Sequence, residues 1–372
     1  MAARQRDQKV VRSMWRYRHL LPVHPRAEPV TLGEGGTPLV PSRLLPDVAL
    51  YWKDETRNPT GSHKDRALSL AATDARDRGA RTMVVVSAGS TGLANAAYAS
   101  AAGLRSVAVM SADASAERIY PLHALGAHLI AVEADIDTLI RHVEALNGRD
   151  GLYVASTTQS SNPIQAEAAR TIAYELVEDL GVGPDLLVVP VGGGGTIAAI
   201  HRGFCELRQR AVIDRLPRLV AVVPSRYANL ALALDRGVDS MSGLLQLPDP
   251  PGGPTVLNKL AHGHPPDAVE ALRALRESKG LVLDFDDDAA LSAVGEIGSV
   301  DGLYFEPSSA ILLPALRLLR RNGTIGPGSL VVALGCGSGF RETGVMIERR
   351  NHAVVRSRLD DLAQRLVEEP GP

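Results

Sequence analysis

Only two cysteines, Cys205 and Cys336, stand among the 372 residues. They are too few for a disulfide framework and suit a reducing compartment. No apolar run approaches the length of a membrane span. The basic opening MAARQRDQKVVRSMWRYRHLL holds neither an apolar stretch nor a small-residue cleavage site, so no secretory leader is expected. An excess of one charge is missing too: 40 basic residues face 42 acidic ones, which gives no reason to expect nucleic acid or another polyanion as partner. The ten histidines show no metal-ligand spacing, His262 and His264 in a proline-rich loop being a poor cage, and no metal is expected. No nucleophile-elbow pentapeptide is present, which removes a Ser-His-Asp hydrolase. What remains is a cytoplasmic globular protein, 45% hydrophobic and long enough for two domains and a sizeable core.

Apolar, β-branched runs alternate with helical patterns, as in parallel sheets covered by helices on both faces, so the expected fold class is α/β. TMVVVS (82–87) reads as a buried strand, TGLANAAYASAAG (91–103) as a helix closed by Gly103, and RSVAVM (105–110) as the next strand. A helix near 115–125, the strand HLIAVE (128–133) and a helix over 135–147 extend this set. A second set follows: a helix over 163–180, the strand DLLVVPV (185–191), a helix from Thr196, and the strands RLVAVV (218–223) and SLVVAL (329–334), predicted to share a larger sheet. LPDPPGGP (247–254) and HGHPP (262–266) read as irregular connections. The expected division is a large domain of 1–67 and 161–350, a small domain of 68–160, and a tail of 351–372 with leucines at helical spacing.

Residues 58–66, NPTGSHKDR, set Lys64 behind a tight turn at the mouth of a helix, where the macrodipole favours anions and gives no reason for a cation. VPVGGGGTIAAI (189–200) puts Gly192, Gly193, Gly194 and Gly195 between an apolar strand and a helix starting at Thr196. Glycines let backbone amides close around an anion, and the helix N-terminus adds positive potential, so a phosphate site is expected. The run lacks the Lys-Ser/Thr of a nucleotide loop and the spacing of a dinucleotide fingerprint, which points to another phosphate. SAGSTGLANAAYA (87–99) offers Ser87, Gly89, Ser90 and Thr91 at a second helix start, suited to a carboxylate, although a plain N-cap reads the same way. VALGCGSGFRET (332–343) holds Cys336 between glycines, as readily a small core residue as a reactive one. In LYFEPSSAILLPAL (303–316), Glu306 precedes a helix start, as readily a simple cap as a group with chemistry to do.

A lysine amine, a phosphate cradle and a carboxylate cradle are together what pyridoxal phosphate chemistry on an amino acid requires, with the lysine holding the aldehyde as a Schiff base and moving protons at Cα. At WRYRHLLPV (15–23), VTLGEGGTPLV (30–40), NPTGSHKDR, SAGSTG, VGGGG and the late glycine-rich loop, the chain resembles the fold type II enzymes that use pyridoxal phosphate, and within them the threonine synthases. The resemblance covers roughly residues 15–345 and implies two domains with the cofactor in the cleft, the small one closing over substrate, and a homodimer. It implies Lys64 as the Schiff-base lysine, Gly192 to Gly195 with Thr196 on the cofactor phosphate, Cys336 facing the pyridine nitrogen, and Ser87, Gly89 and Thr91 on the substrate carboxylate. Ser90 stands beside the cofactor where the family has asparagine, and His63 replaces a phenylalanine. In SSNPIQAEAART (160–171), Asn162 is kept as a substrate contact, Gln165 replaces the arginine on the substrate phosphate, and Arg170 stands at a lysine. The implied activity is elimination and replacement on an amino acid, either O-phosphohomoserine giving threonine by default or a related amino acid in a specialised pathway. A serine or threonine dehydratase is the second reading, suggested by Cys336, and a non-catalytic amino-acid-binding homologue the third.

Overall fold

The computed structural model describes residues 12–112, 116–134, 136–342 and 344. The chain divides after Arg341 into two units. The sequence-predicted tail of 351–372 lies outside the described residues.

Two sheets organise the first unit. The larger has the order β1 (Leu39–Pro41), β2 (Ala49–Asp54), β10 (Leu330–Gly335), β7 (Leu186–Pro190), β8 (Arg218–Pro224) and β9 (Leu281–Phe285), parallel except for the edge strand β1. The smaller has the order β5 (His128–Val132), β4 (Arg105–Ser111), β3 (Thr82–Val86) and β6 (Leu152–Val154), all parallel. The helices are α1 (Lys64–Asp77), α2 (Ser90–Ala101), α3 (Ala116–Ala124), α4 (Ile136–Glu144), α5 (Pro163–Ala166), α6 (Arg170–Leu180) and α7 (Gly195–Gln209). They continue with α8 (Asn229–Asp235), α9 (Met241–Leu245), α10 (Ala268–Glu277), α11 (Asp287–Asp301), α12 (Pro307–Ala310) and α13 (Leu312–Arg321). This is the α/β architecture expected, with two parallel-sheet regions flanked by helices.

Alternation along the strands explains why helices cover both faces of the small sheet. Met83, Val85, Ala108 and Met110 pack with Leu68 and Ala71 of α1 and Ala94 and Tyr98 of α2. Val84, Val107, Val109 and Val154 turn to the other face, against Leu139 and Val143 of α4. The large sheet is filled by Leu187, Val189, Leu219, Ala221, Val332 and Leu334 against Ile197, Ile200 and Phe204 of α7.

Two elements differ from the sequence reading. The helix expected over 163–180 is broken into α5 and α6 by a turn at 167–169. The Thr171 hydroxyl donates back to the Ala168 carbonyl and accepts from Arg66, which competes with the helical ladder. Strands β2 and β9 were hidden by their charges. Lys53, fully buried in β2, is held by Glu175 at 2.9 Å and by the Thr37 carbonyl at 2.7 Å.

Among the described residues no helix is long and apolar enough to cross a membrane.

Candidate active site

Three loops leave the carboxyl ends of parallel strands and meet at one cavity of about 590 Å³: 87–91 after β3, 192–196 after β7, and the loop at Cys336 after β10. Crevices at strand carboxyl ends are where open α/β sheets bind ligands. Lys64 joins them from the start of α1.

The segment NPTGSHKDR is built to present that lysine. Asn58 donates to Glu55 and accepts from the Gly35 amide, which closes the turn's start. Gly61 takes φ +83°, a left-handed conformation that glycine adopts without strain. The Asp65 carboxylate accepts from the Thr60 amide and hydroxyl, and the His63 amide donates to the Cys336 carbonyl at 3.0 Å, tying the turn to the end of β10. Arg66 fixes the helix from behind: its guanidinium reaches Glu55 and Glu175, each at 2.7 Å, with all three residues buried.

Burial pushes the Lys64 ammonium down, opposed by Cys336 and Asp267, so the amine is more readily neutral than an ordinary lysine. Its place at a helix N-terminus acts in the same direction. Burial, with Lys64 adjacent, lowers the His63 imidazole to about 3, so this ring is neutral at any ordinary pH. The Cys336 thiol is pushed well up by burial and by Glu306, and stays protonated.

The glycine run answers to close packing. A Cβ on Gly192 would stand 2.7 Å from the Lys259 carbonyl oxygen, and one on Gly194, whose φ is +96°, 2.8 Å from the Asp267 carbonyl oxygen. The amides of Gly192, Gly193, Gly194, Gly195 and Thr196 donate to no group among the described residues, although the Asp267 amide donates to the Gly193 carbonyl. Unpaired amides at the start of a fifteen-residue helix form an anion cradle. Those of Ser90 and Thr91 at the start of α2 are likewise unpaired among the described residues, and Gly89 caps without a side-chain bond. The Ser87 hydroxyl accepts from the Gly89 amide, and the Ser90 hydroxyl accepts from Arg341 at 3.1 Å.

Lys64, Ser87, Gly89, Ser90, Thr91, the four glycines, Thr196 and Cys336 thus line one cavity. Asn162 and Arg170 do not. Asn162 caps α5 by accepting from the Gln165 amide and donates to Tyr153. Arg170 pairs with Glu167 and Glu206. Gln165 is buried and also off the cavity.

Sequence reasoning missed Asp267, Lys259 and Arg118, which line the cavity. Lys259 lies between, and Asp267 just after, the stretches 247–254 and 262–266 that read as irregular connections, whose prolines and glycines draw no attention to their neighbours. Glu306 does not cap α12 with its side chain; it lies in the cavity and forms an ion pair with Lys259. Burial raises the Asp267 carboxyl to about 6, beside the glycine loop and within reach of the Lys64 charge.

The profile of the family described as "Pyridoxal-phosphate dependent enzyme" matches residues 30–337. A threonine synthase of Methanosarcina acetivorans is 32% identical over 343 residues, covering 90% of this chain and 82% of its own. Among solved structures, O-ureido-L-serine synthase superposes with a TM-score of 0.68 at 23% identity, over 88% of this chain and 96% of that one. An L-serine ammonia-lyase from Rhizomucor miehei gives 0.71 at 19% identity, over 85% and 98%. Both likenesses are of fold. Pyridoxal phosphate fits the residues present, since the amides of 192–196 are unpaired donors and a buried, readily neutral amine shares their cavity.

Proposed function

We propose a reaction for this chain, which belongs to the family of pyridoxal-phosphate-dependent enzymes and within it is a threonine synthase-like lyase of fold type II. It eliminates a side-chain leaving group from an α-amino acid and adds water, with O-phosphohomoserine as substrate and threonine and phosphate as products. The observation that carries this reading is the meeting of Lys64, the 192–196 amides and the 87–91 amides at one cavity.

Pyridoxal phosphate, when bound, supplies the electron sink that makes the Cα proton of an amino acid removable. Lys64 Nζ would be its attachment point and, once free, the base at Cα; burial makes that amine more readily neutral than an ordinary lysine. The amides of Gly192 to Gly195 and Thr196 hold the cofactor phosphate. Ser87, Gly89 and Thr91 hold the substrate carboxylate and so orient Cα toward Lys64. Ser90 flanks the cofactor ring. Cys336, a neutral thiol, would face the ring nitrogen, as the resemblance implies, without the charge to keep it protonated. The small sheet with its helices forms a domain, residues 68–160, that closes on the large one and excludes water. The working form is a homodimer, as the family resemblance implies, and its place is the cytoplasm, as the sparse cysteines suggest.

A dehydratase acting on serine or threonine is the second reading. It is favoured by Asn162, Gln165 and Arg170 lying off the cavity, and by a glutamine standing where the resemblance implies an arginine on the substrate phosphate. Lys259 and Arg118, which do line the cavity, are the cations that would serve a phosphorylated substrate instead. The test is to give the cofactor-loaded protein O-phosphohomoserine and measure inorganic phosphate and threonine. Equimolar release of both is expected. A 2-oxo acid and ammonia from serine or threonine, with no phosphate release, would install the dehydratase reading in its place.

A further inference from the structure

We infer that His201, Cys205 and Glu277 form a binding site for one zinc-like divalent ion, outside the cavity described above. His201 and Cys205 are four residues apart in α7 and so share one helix face, and Glu277 ends α10 opposite them. The three ligand atoms all lie within 4.8 Å of one another.

Their spacing suits an ion better than it suits hydrogen bonding. His201 Nε2 is 3.7 Å from a Glu277 carboxylate oxygen, too far for a hydrogen bond, and 3.6 Å from Cys205 Sγ, a long one. Zinc bonds of about 2.0 Å to nitrogen and oxygen and about 2.3 Å to sulfur, at tetrahedral angles, separate nitrogen from sulfur by about 3.5 Å and nitrogen from oxygen by about 3.3 Å. The His201–Cys205 separation thus matches ligand spacing to about 0.1 Å, and the His201–Glu277 separation exceeds it by about 0.4 Å. An imidazole, a thiolate and a carboxylate are also the donor types that zinc takes.

Binding transfers the Cys205 proton to solvent, and the thiolate with the carboxylate then balances the charge of the ion. His201 is buried while Glu277 is half-exposed, so the ion has an entry path and water completes a fourth position. The ion's role is structural. α7 begins at the glycine cradle and α10 begins beside it, Asp267 bonding to Gly193. An ion joining the two helices further along would brace the pair that forms the cradle.

The experiment uses the full chain with its cofactor, stripped by a chelator and dialysed against zinc. One zinc per chain is expected, with a rise in unfolding temperature on zinc addition. Cobalt in place of zinc should show a thiolate charge-transfer band that Cys205→Ser removes. Glu277→Gln, at a half-exposed position that leaves the fold intact, should weaken zinc binding by at least about 10–100-fold, the loss that even outer-shell changes bring. Absence of stoichiometric zinc in the wild-type chain would overturn the proposal. So would unchanged affinity in both variants, or a cobalt spectrum without the thiolate band.

Discussion

The role proposed for Lys64 rests on where its amine sits. A lysine in water is an ammonium and no base; burial at the start of α1 shifts it toward the neutral amine. Asp267 is the carboxylate whose charge opposes that shift. Its carboxyl, ordinarily 3.8, is raised by burial to about 6. Between those values the folded chain keeps a proton that the unfolded chain has released, so this residue's contribution to stability is present below about 4 and lost as pH rises through 6. Asp267→Asn removes the penalty and keeps an acceptor for the Gln159 amide. The variant should be more stable than the parent at pH 8 by up to about 3 kcal/mol, two pKa units' worth, and indistinguishable from it at pH 4. Thermal unfolding across that range checks this; a difference independent of pH would mean the carboxyl is not perturbed.

At the scale of elements, α1 is seated both by its apolar face and by one buried ion network. Burial alone would raise the Glu175 carboxyl, but Arg66 and then Lys53 beside it hold it well below the usual range. Glu55 is likewise lowered against burial by Arg66. Removing the guanidinium leaves Glu55 without its ion partner in the interior. Arg66→Ala should therefore cost about 3–5 kcal/mol in urea unfolding, as breaking buried pairs does. A loss under about 1 kcal/mol would show that the network does not seat the helix.

Elements built on uninterrupted β-branched runs were legible in the sequence: β3, β4, β7, β8 and β10 fall within a residue or two of their expected bounds. Strand β2 was not, because Lys53 and Asp54 look like surface residues until Glu175, far along the chain, is seen to cover the lysine. The break between α5 and α6 likewise depends on Arg66, a partner no local pattern shows. Glu34, from the VTLGEGGTPLV signature, proves to be a buried acceptor for Trp15, Ser69 and Tyr98 rather than a cavity residue.

For the molecule as a whole, the cavity is the product of two sheets presenting their strand ends to each other, with loops from 63 to 336 converging. Motifs that carry their chemistry in contiguous residues, the lysine turn and the two glycine-bearing junctions, could be read before folding. Lys259, Asp267 and Arg118 could not, since only the packing of 259–267 on the glycine loop brings the first two into the site.

The proposed function stands on Lys64 carrying the cofactor. The chain has only five lysines, Lys9, Lys53, Lys64, Lys259 and Lys279, and two of them, Lys64 and Lys259, line the cavity. Borohydride reduction of the cofactor-loaded protein, followed by proteolysis and mass spectrometry, fixes the cofactor to whichever amine holds it. The expected result is a pyridoxyl group on the peptide containing Lys64 alone; a pyridoxyl group on Lys259, whose amine is paired with Glu306, would contradict it.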